Sequence, residues 1–238
     1  MQIYETYLCE ELKKYNVELS AKQLSLFQDY ANMLVEWNKK MNLTAITEME
    51  DIYHKHFLDC ILPSFSVEMK KTLCDVGAGA GFPSIPLKIV YPHLHITILE
   101  PLQKRCVFLR ELVQKLGLED VEICNVRAED YAKSHREVFD MVSARAVANL
   151  TMLSELCVPL LKVDGIFIAM KGSSGKEEAD MASYALDVLG CKLENTDVYE
   201  LDGASRMNFI YRKVKKTPMK YPRMFAKIKK NPLVRRSK

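Results

Sequence analysis

The sequence predicts an α/β fold: a doubly wound, mostly parallel sheet behind an N-terminal helical cap. Three observations predict it. Short apolar runs alternate with helix-period segments from residue 72 onward. A glycine-rich turn, Gly77-Ala-Gly79-Ala-Gly81, follows the first of those runs and holds three of the chain's nine glycines. The first 62 residues carry helix signals and no glycine at all.

The elements follow in order. Ser20-Ala-Lys-Gln23 has the form of a capping box, and Leu24, Phe27, Ala31, Leu34 and Asn38 then fall on one helical face. Thr47-Glu-Met-Glu50 is a second such pattern, leading into Ile52, Tyr53, His56, Phe57 and Cys60 and a break at Pro63. Strands are expected at 72–76, 95–99, 121–126, 138–142 and 165–170. A helix is expected over 102–116, stopped by Gly117, and another over 175–189. Two further strands near 192–201 and 207–214 are expected to form an antiparallel pair about Asp202-Gly203. These elements divide the chain into a helical cap (1–66), a ligand-binding α/β domain (67–214) and a basic tail (215–238).

Composition excludes several classes. The start of the chain is polar and acidic, and no apolar run approaches the roughly 18 residues of a membrane span. A soluble, cytoplasmic protein is expected. The seven cysteines are scattered without metal-ligand spacing, and His54 and His56 lie two apart on a helix, so buried thiols and structural histidines are expected and no metal. Charge is lopsided: twelve of the 34 Lys and Arg, and none of the 31 Asp and Glu, fall from Tyr211 onward. Such a run reads as an anion-binding arm, nucleic acid foremost, or as a solvated extension. Tyr221 and Phe225 within it either stack on bases or pack the tail down.

In an open α/β sheet, ligands bind beyond the carboxyl ends of the strands, where strand order reverses. The glycine turn forms one wall of that crevice. Glu100, at the end of the second strand, can accept hydrogen bonds from both hydroxyls of an adenosine ribose. A dinucleotide fingerprint needs G-x-G-x-x-G, but Phe82 stands where the third glycine would fall. G-x-G-x-G after Asp75 instead resembles motif I of Rossmann-like methyltransferases. The Arg127-Ala128-Glu129-Asp130 loop follows the third strand and closes over adenine in this fold class. Alternatively, Glu129 is simply a carboxylate at a helix N-terminus. Arg145, at the carboxyl end of the fourth strand, and Lys171, at the end of the fifth, face the same crevice.

Taken together, Asn38-Lys-Lys-Met-Asn42-Leu-Thr44, His56-Phe-Leu-Asp59, Asp75 to Pro83, Arg127-Ala-Glu129, Arg145-Ala-Val-Ala148, Lys171-Gly172 and Thr217 to Arg223 resemble the bacterial small-subunit rRNA guanine-N7 methyltransferases. The likeness runs from about Trp37 to Leu233. Departures are Ser84 for a frequent glycine, Cys60 for a frequent serine, and a tail lacking the usual Gly and Pro after Arg223. The resemblance implies a Rossmann-like class I methyltransferase using S-adenosylmethionine, held at Gly77, Phe82, Ala128, Glu129 and Arg145. The turn and strand-end reading adds Gly79, Gly81 and Glu100. It also implies a guanine in the decoding-region loop of small-subunit rRNA, free or in a ribosomal particle, as substrate. Arg145 and Lys171 are the candidate catalytic residues, orienting the base, and a monomer is expected. The alternatives are a small-molecule methyltransferase and a non-catalytic ribosome-binding protein.

Overall fold

The computed structural model describes residues 2–235. Its centre is a seven-stranded sheet in the order β3-β2-β1-β4-β5-β7-β6. The strands are β1 (Thr72–Val76), β2 (His95–Leu99), β3 (Val121–Cys124), β4 (Phe139–Arg145), β5 (Leu161–Lys171), β6 (Cys191–Leu201) and β7 (Ala204–Lys213). β1 to β5 pair in parallel, while β7 runs antiparallel to both neighbours, as expected for the last two strands. Strand order reverses between β1 and β4, so the crevice opens there.

Alternation along β1 divides two cores. Leu73 faces the cap, whose α1 (Ile3–Lys13) and α2 (Ala21–Asn38) contribute Leu8, Phe27 and Tyr30. Cys74 and Val76 face the other side, under α8 (Leu150–Cys157), α9 (Gly175–Leu189) and α10 (Phe225–Lys230). The Ser20 box forms as expected: Gln23 N–H donates to Ser20 Oγ at 3.3 Å and Ser20 N–H to Gln23 Oε1 at 2.9 Å. Gln23 Nε2 also donates to the Ile89 carbonyl at 2.8 Å, tying the start of α2 to α5 (Ser84–Val90).

The Thr47 box does not form. Helix α3 (Met49–Asp51) starts after Glu48, with no side-chain cap. It opens at once into a π-helical stretch, Ile52–Leu58, closes as α4 (Asp59–Ile61), and ends in a 3₁₀ turn, Leu62–Ser66. Such wide turns collect at functional sites. Gly117 ends α6 (Gln103–Leu116) in the left-handed conformation, at φ 60°. β4 and β5 run past their expected ends at 142 and 170, making Arg145 and Lys171 their last residues. α7 (Ala128–Tyr131) follows β3.

The tail is no free arm. Arg136 donates to the carbonyls of Thr217 at 2.7 Å, Pro218 at 3.3 Å and Tyr221. Tyr221 and Ile228 are buried in the second core, and the Arg127 guanidinium lies 5.5 Å over the Phe225 ring. Both aromatics pack the tail down.

Candidate functional site

All three glycines of the turn have positive φ: 73°, 61° and 100° at Gly77, Gly79 and Gly81. Their reasons differ. A Cβ on Gly77 would lie 2.8 Å from Val147 Cγ2, so that position lets the loop after β4 cross the turn. A Cβ on Gly81 would lie 2.8 Å from Ile85 Cγ1 and 2.9 Å from the Tyr30 hydroxyl. Tyr30 donates that hydroxyl to the Ala80 carbonyl at 2.6 Å, so the cap itself holds the turn. Gly81 serves this packing. Only Gly79 has space above it, with nothing nearer than Arg105 Nη1 at 3.9 Å.

Glu100 is buried beside Gly79 and accepts its N–H at 3.1 Å and that of Leu102 at 2.9 Å. Two backbone donors fix the carboxylate plane while each oxygen keeps acceptor capacity. The remaining acceptor capacity of Glu100 fits the hydroxyls of a ribose diol, and the open face of Gly79 fits close approach of a ligand. Arg105 Nη1 lies 3.7 Å from Glu100 Oε2 on a part-exposed side chain that can swing aside. The site residues therefore fit S-adenosylmethionine.

Below the turn, Asp75 and Ser143 are register partners on β1 and β4. Asp75 Oδ2 accepts from Ser84 N–H at 3.1 Å, while Asp75 Oδ1, Ser84 Oγ and Ser143 Oγ are buried without a partner. Burial pushes the Asp75 carboxyl up to about 7.

A second cluster forms around Arg145. Its guanidinium lies 4.8 Å over the Phe82 ring. Nη1 donates to Asp59 Oδ2 at 3.0 Å, and Nη2 meets His56 Nδ1 at 2.9 Å. A guanidinium has only donors, so His56 Nδ1 accepts. The ring proton therefore sits on Nε2 and is donated to Thr44 Oγ1 at 2.8 Å. Burial, and then the Arg145 charge, lowers the His56 pKa to about 3 and keeps the ring neutral. Asn38 shapes the Thr44 loop, its Oδ1 accepting from Leu43 and Thr44 N–H at 2.7 and 3.0 Å. Asp59 Oδ1 also accepts from Tyr199 and Arg206, both at 3.2 Å, joining cap, β4 and the β6–β7 hairpin.

Arg145, Val147, Lys171, Arg206 and Asn208 line a cavity of about 560 Å³. It meets the glycine turn through Val147. Lys171 is held by Glu178 Oε2 at 2.8 Å and the Ala148 carbonyl at 2.6 Å. Ala146 takes φ 56°, an uncommon conformation for a residue with a Cβ, where the chain leaves β4 for this wall.

The structure thus gathers Gly77, Gly79 and Glu100 at one corner, and Phe82 and Arg145 at the next. Ala128 and Glu129, both buried, begin α7. His54 and His56 do point apart, as expected: His54 packs on the Tyr7 ring with centroids 3.8 Å apart. His56, expected to be structural, holds Arg145 and Thr44 at the edge of the site. Asp59, Arg206, Asn208 and Tyr30 were likewise not singled out by residue type. His56 and Asp59 fall in a segment matching the resembled family, but spacing alone gave no reason to aim them at Arg145. Among the described residues, no group of three or more His, Cys, Asp or Glu is placed to hold a metal, and no helix is long and apolar enough to cross a membrane.

The family profile for rRNA small subunit methyltransferase G matches residues 23–206. The chain belongs to this family. It is 50% identical over 233 residues to the ribosomal RNA small subunit methyltransferase G of Staphylococcus aureus (strain bovine RF122 / ET3-1), covering 96% of this chain and 98% of that one. The enzyme from strain JH9 is 49% identical over the same shares. Among solved structures, M. jannaschii TYW2 in complex with AdoMet aligns at TM-score 0.51 and 16% identity, over 61% of this chain and 70% of that one. TrmN from Thermus thermophilus aligns at TM-score 0.52 and 16% identity, over 66% and 48%. These two likenesses show the Rossmann-like methyltransferase fold. Family membership makes the protein an S-adenosylmethionine-dependent rRNA methyltransferase.

Proposed function

We propose that the methyl group goes to N7 of a guanine in small-subunit rRNA, seated in the cavity between Arg145 and Asn208. When bound, S-adenosylmethionine supplies an electrophilic methyl on a sulfonium. Glu100, Gly77 and Gly79 hold its nucleoside end, and Ala128 and Glu129 bound the adenine side.

One observation carries the choice of atom: every potential base lining the cavity is already committed. His56 is neutral with both ring nitrogens used. Asp59 accepts from Arg145, Arg206 and Tyr199. Glu178 accepts from Lys171, Ser174 and Leu150 N–H. A nucleophile that must lose a proton first has to compete with a cation for each of these bases. Guanine N7 presents an in-plane lone pair and needs none. It attacks the methyl carbon, the sulfur leaves with the C–S bonding pair, and the base becomes an N7-methylguanine cation. The rate then comes from alignment, an effect worth about 7 kcal/mol or more when the reacting atoms are well placed. Arg206 and Asn208 are donors suited to the guanine O6 edge. This reading has the protein act as a metal-free, cytoplasmic monomer on rRNA or a ribosomal particle.

The test is a base-resolution map of labelled methyl groups added to small-subunit rRNA by purified protein. The reading expects one N7-methylguanosine. Methyl groups on exocyclic amines or on carbon would overturn it.

A further inference from the structure

We propose that the folded-back tail is a rigid phosphate-docking platform, holding RNA by charge and not by base identity. This inference rests on the rRNA reading above and adds which surface the RNA backbone meets.

Two cations at the end of β7 and two of the tail are neutralised by acids from other segments. Arg212 Nε pairs with Glu194 at 2.5 Å, Lys213 with Glu137 at 2.7 Å, Lys215 with Asp187 at 3.5 Å and Arg223 with Glu155 at 2.6 Å. These pairs fasten the segment. The remaining described cations, Lys216, Lys220, Lys227, Lys229, Lys230 and Arg235, are exposed and have no carboxylate within 4.0 Å among the described residues. No acid interrupts them in sequence from Tyr211 onward. On α10, Ile228 is buried in the second core while Lys227, Lys229 and Lys230 face outward.

Two features decide what such a surface recognises. The side chains that would read bases by stacking are withdrawn: Tyr221 is 7% exposed and Phe225 lies against Arg127. What remains is a set of ammonium groups and Arg235, suited to phosphates and blind to sequence. The platform is also held in place before binding by Arg136 and Glu155, so little ordering cost opposes docking. Its place matters too. Phe225 opens α10 against Arg127, the residue before the Ala128–Glu129 corner, so the platform borders the cofactor crevice. RNA held there is delivered to the rim while the cavity behind Arg145 selects the base.

The test uses the full-length protein and a triple variant, Lys227→Gln, Lys229→Gln and Lys230→Gln, with Lys→Arg at the same positions as control. Binding of an in vitro transcript of small-subunit rRNA is measured from 50 to 200 mM salt. Each lost phosphate contact lowers the log–log salt slope by about 0.7 to 0.9, so the Gln variant loses about 2 to 3 units of slope and about 10- to 100-fold in affinity. The Arg control keeps both. Cofactor affinity by calorimetry, the unfolding midpoint and the map of methylated positions stay as in wild type. An unchanged slope overturns the proposal, and so does a changed methylation map. Normal transcript binding with weakened binding only to intact subunits also overturns it, pointing to an acidic protein partner instead. Wild-type protein that methylates no rRNA would sink the functional reading alone, since the salt slope is measured without turnover.

Discussion

His56 offers the sharpest perturbation. Its Nδ1 receives Arg145 Nη2 at 2.9 Å and its Nε2 proton goes to Thr44 Oγ1 at 2.8 Å. Asparagine can place an amide oxygen near the Nδ1 position, whereas glutamine places its amide group near Nε2. His56→Asn therefore keeps the acceptor for Arg145, and His56→Gln keeps the Thr44 side of the chain instead. A hydrogen bond to a charged group contributes about 1.5–3 kcal/mol, which is about 10- to 100-fold in a rate or binding constant. His56→Gln should lose that much in kcat/KM, while His56→Asn should stay within about fivefold of wild type. Both lose the stack on Phe82, whose centroid lies 4.4 Å away, so that loss cancels between them. The assay is steady-state methyl transfer to rRNA, with cofactor affinity read by calorimetry. Equal losses in the two variants would refute the reasoning, because a ring that only fills space does not distinguish an acceptor from a donor.

Other predictions concern the turn and pH. Tyr30→Phe removes the 2.6 Å donation to the Ala80 carbonyl and should cost about 1–3 kcal/mol of stability while weakening cofactor binding, read by urea unfolding and calorimetry. Gly79→Ala meets open space and should fold with a loss of about 1–2 kcal/mol from its φ of 61°, yet bind cofactor poorly. Gly81→Ala collides with Ile85 and Tyr30 and should be the less stable of the two in the same unfolding assay. The two perturbed acids and bases give opposite pH slopes. The folded His56 ring, lowered to about 3, refuses a proton that the unfolded chain takes up near 6.5, so its contribution is lost as pH falls through that window. Asp75, raised to about 7, keeps a proton that the unfolded chain has released above about 3.8, so its contribution is lost as pH rises through 7. Each is on the order of 4 kcal/mol at full extent. His56→Asn should thus gain stability relative to wild type as pH falls toward 4, and Asp75→Asn as it rises toward 8, in urea titrations across that range.

Much of the frame was legible because it rests on local chemistry. The glycine turn, the Ser20 box, the Gly117 stop and α9 at Gly175–Leu189 stand where residue type and spacing put them. What escaped depends on groups distant in sequence. Gly81 reads as a ligand glycine until Tyr30, from the cap, is seen against it. The Thr47 pattern gives way to a helix starting after Glu48, and the π-helical stretch that follows turns His56 toward Arg145, some 89 residues away. β4 continues to Arg145 because β5 flanks it through Met170. The tail's charge was plain in composition, but the acids that pair with it and with the end of β7 lie elsewhere in the chain, so its anchoring was not.

The central claim is that a cavity beside Arg145, whose lining bases are each held by a cation, presents guanine N7 to the methyl group. The most direct measurement compares methyl transfer to small-subunit rRNA transcribed with guanosine against the same RNA carrying 7-deazaguanosine, where N7 is replaced by C–H. The account predicts transfer to the first and none to the second, with both RNAs binding equally. Equal methylation of the two would contradict it.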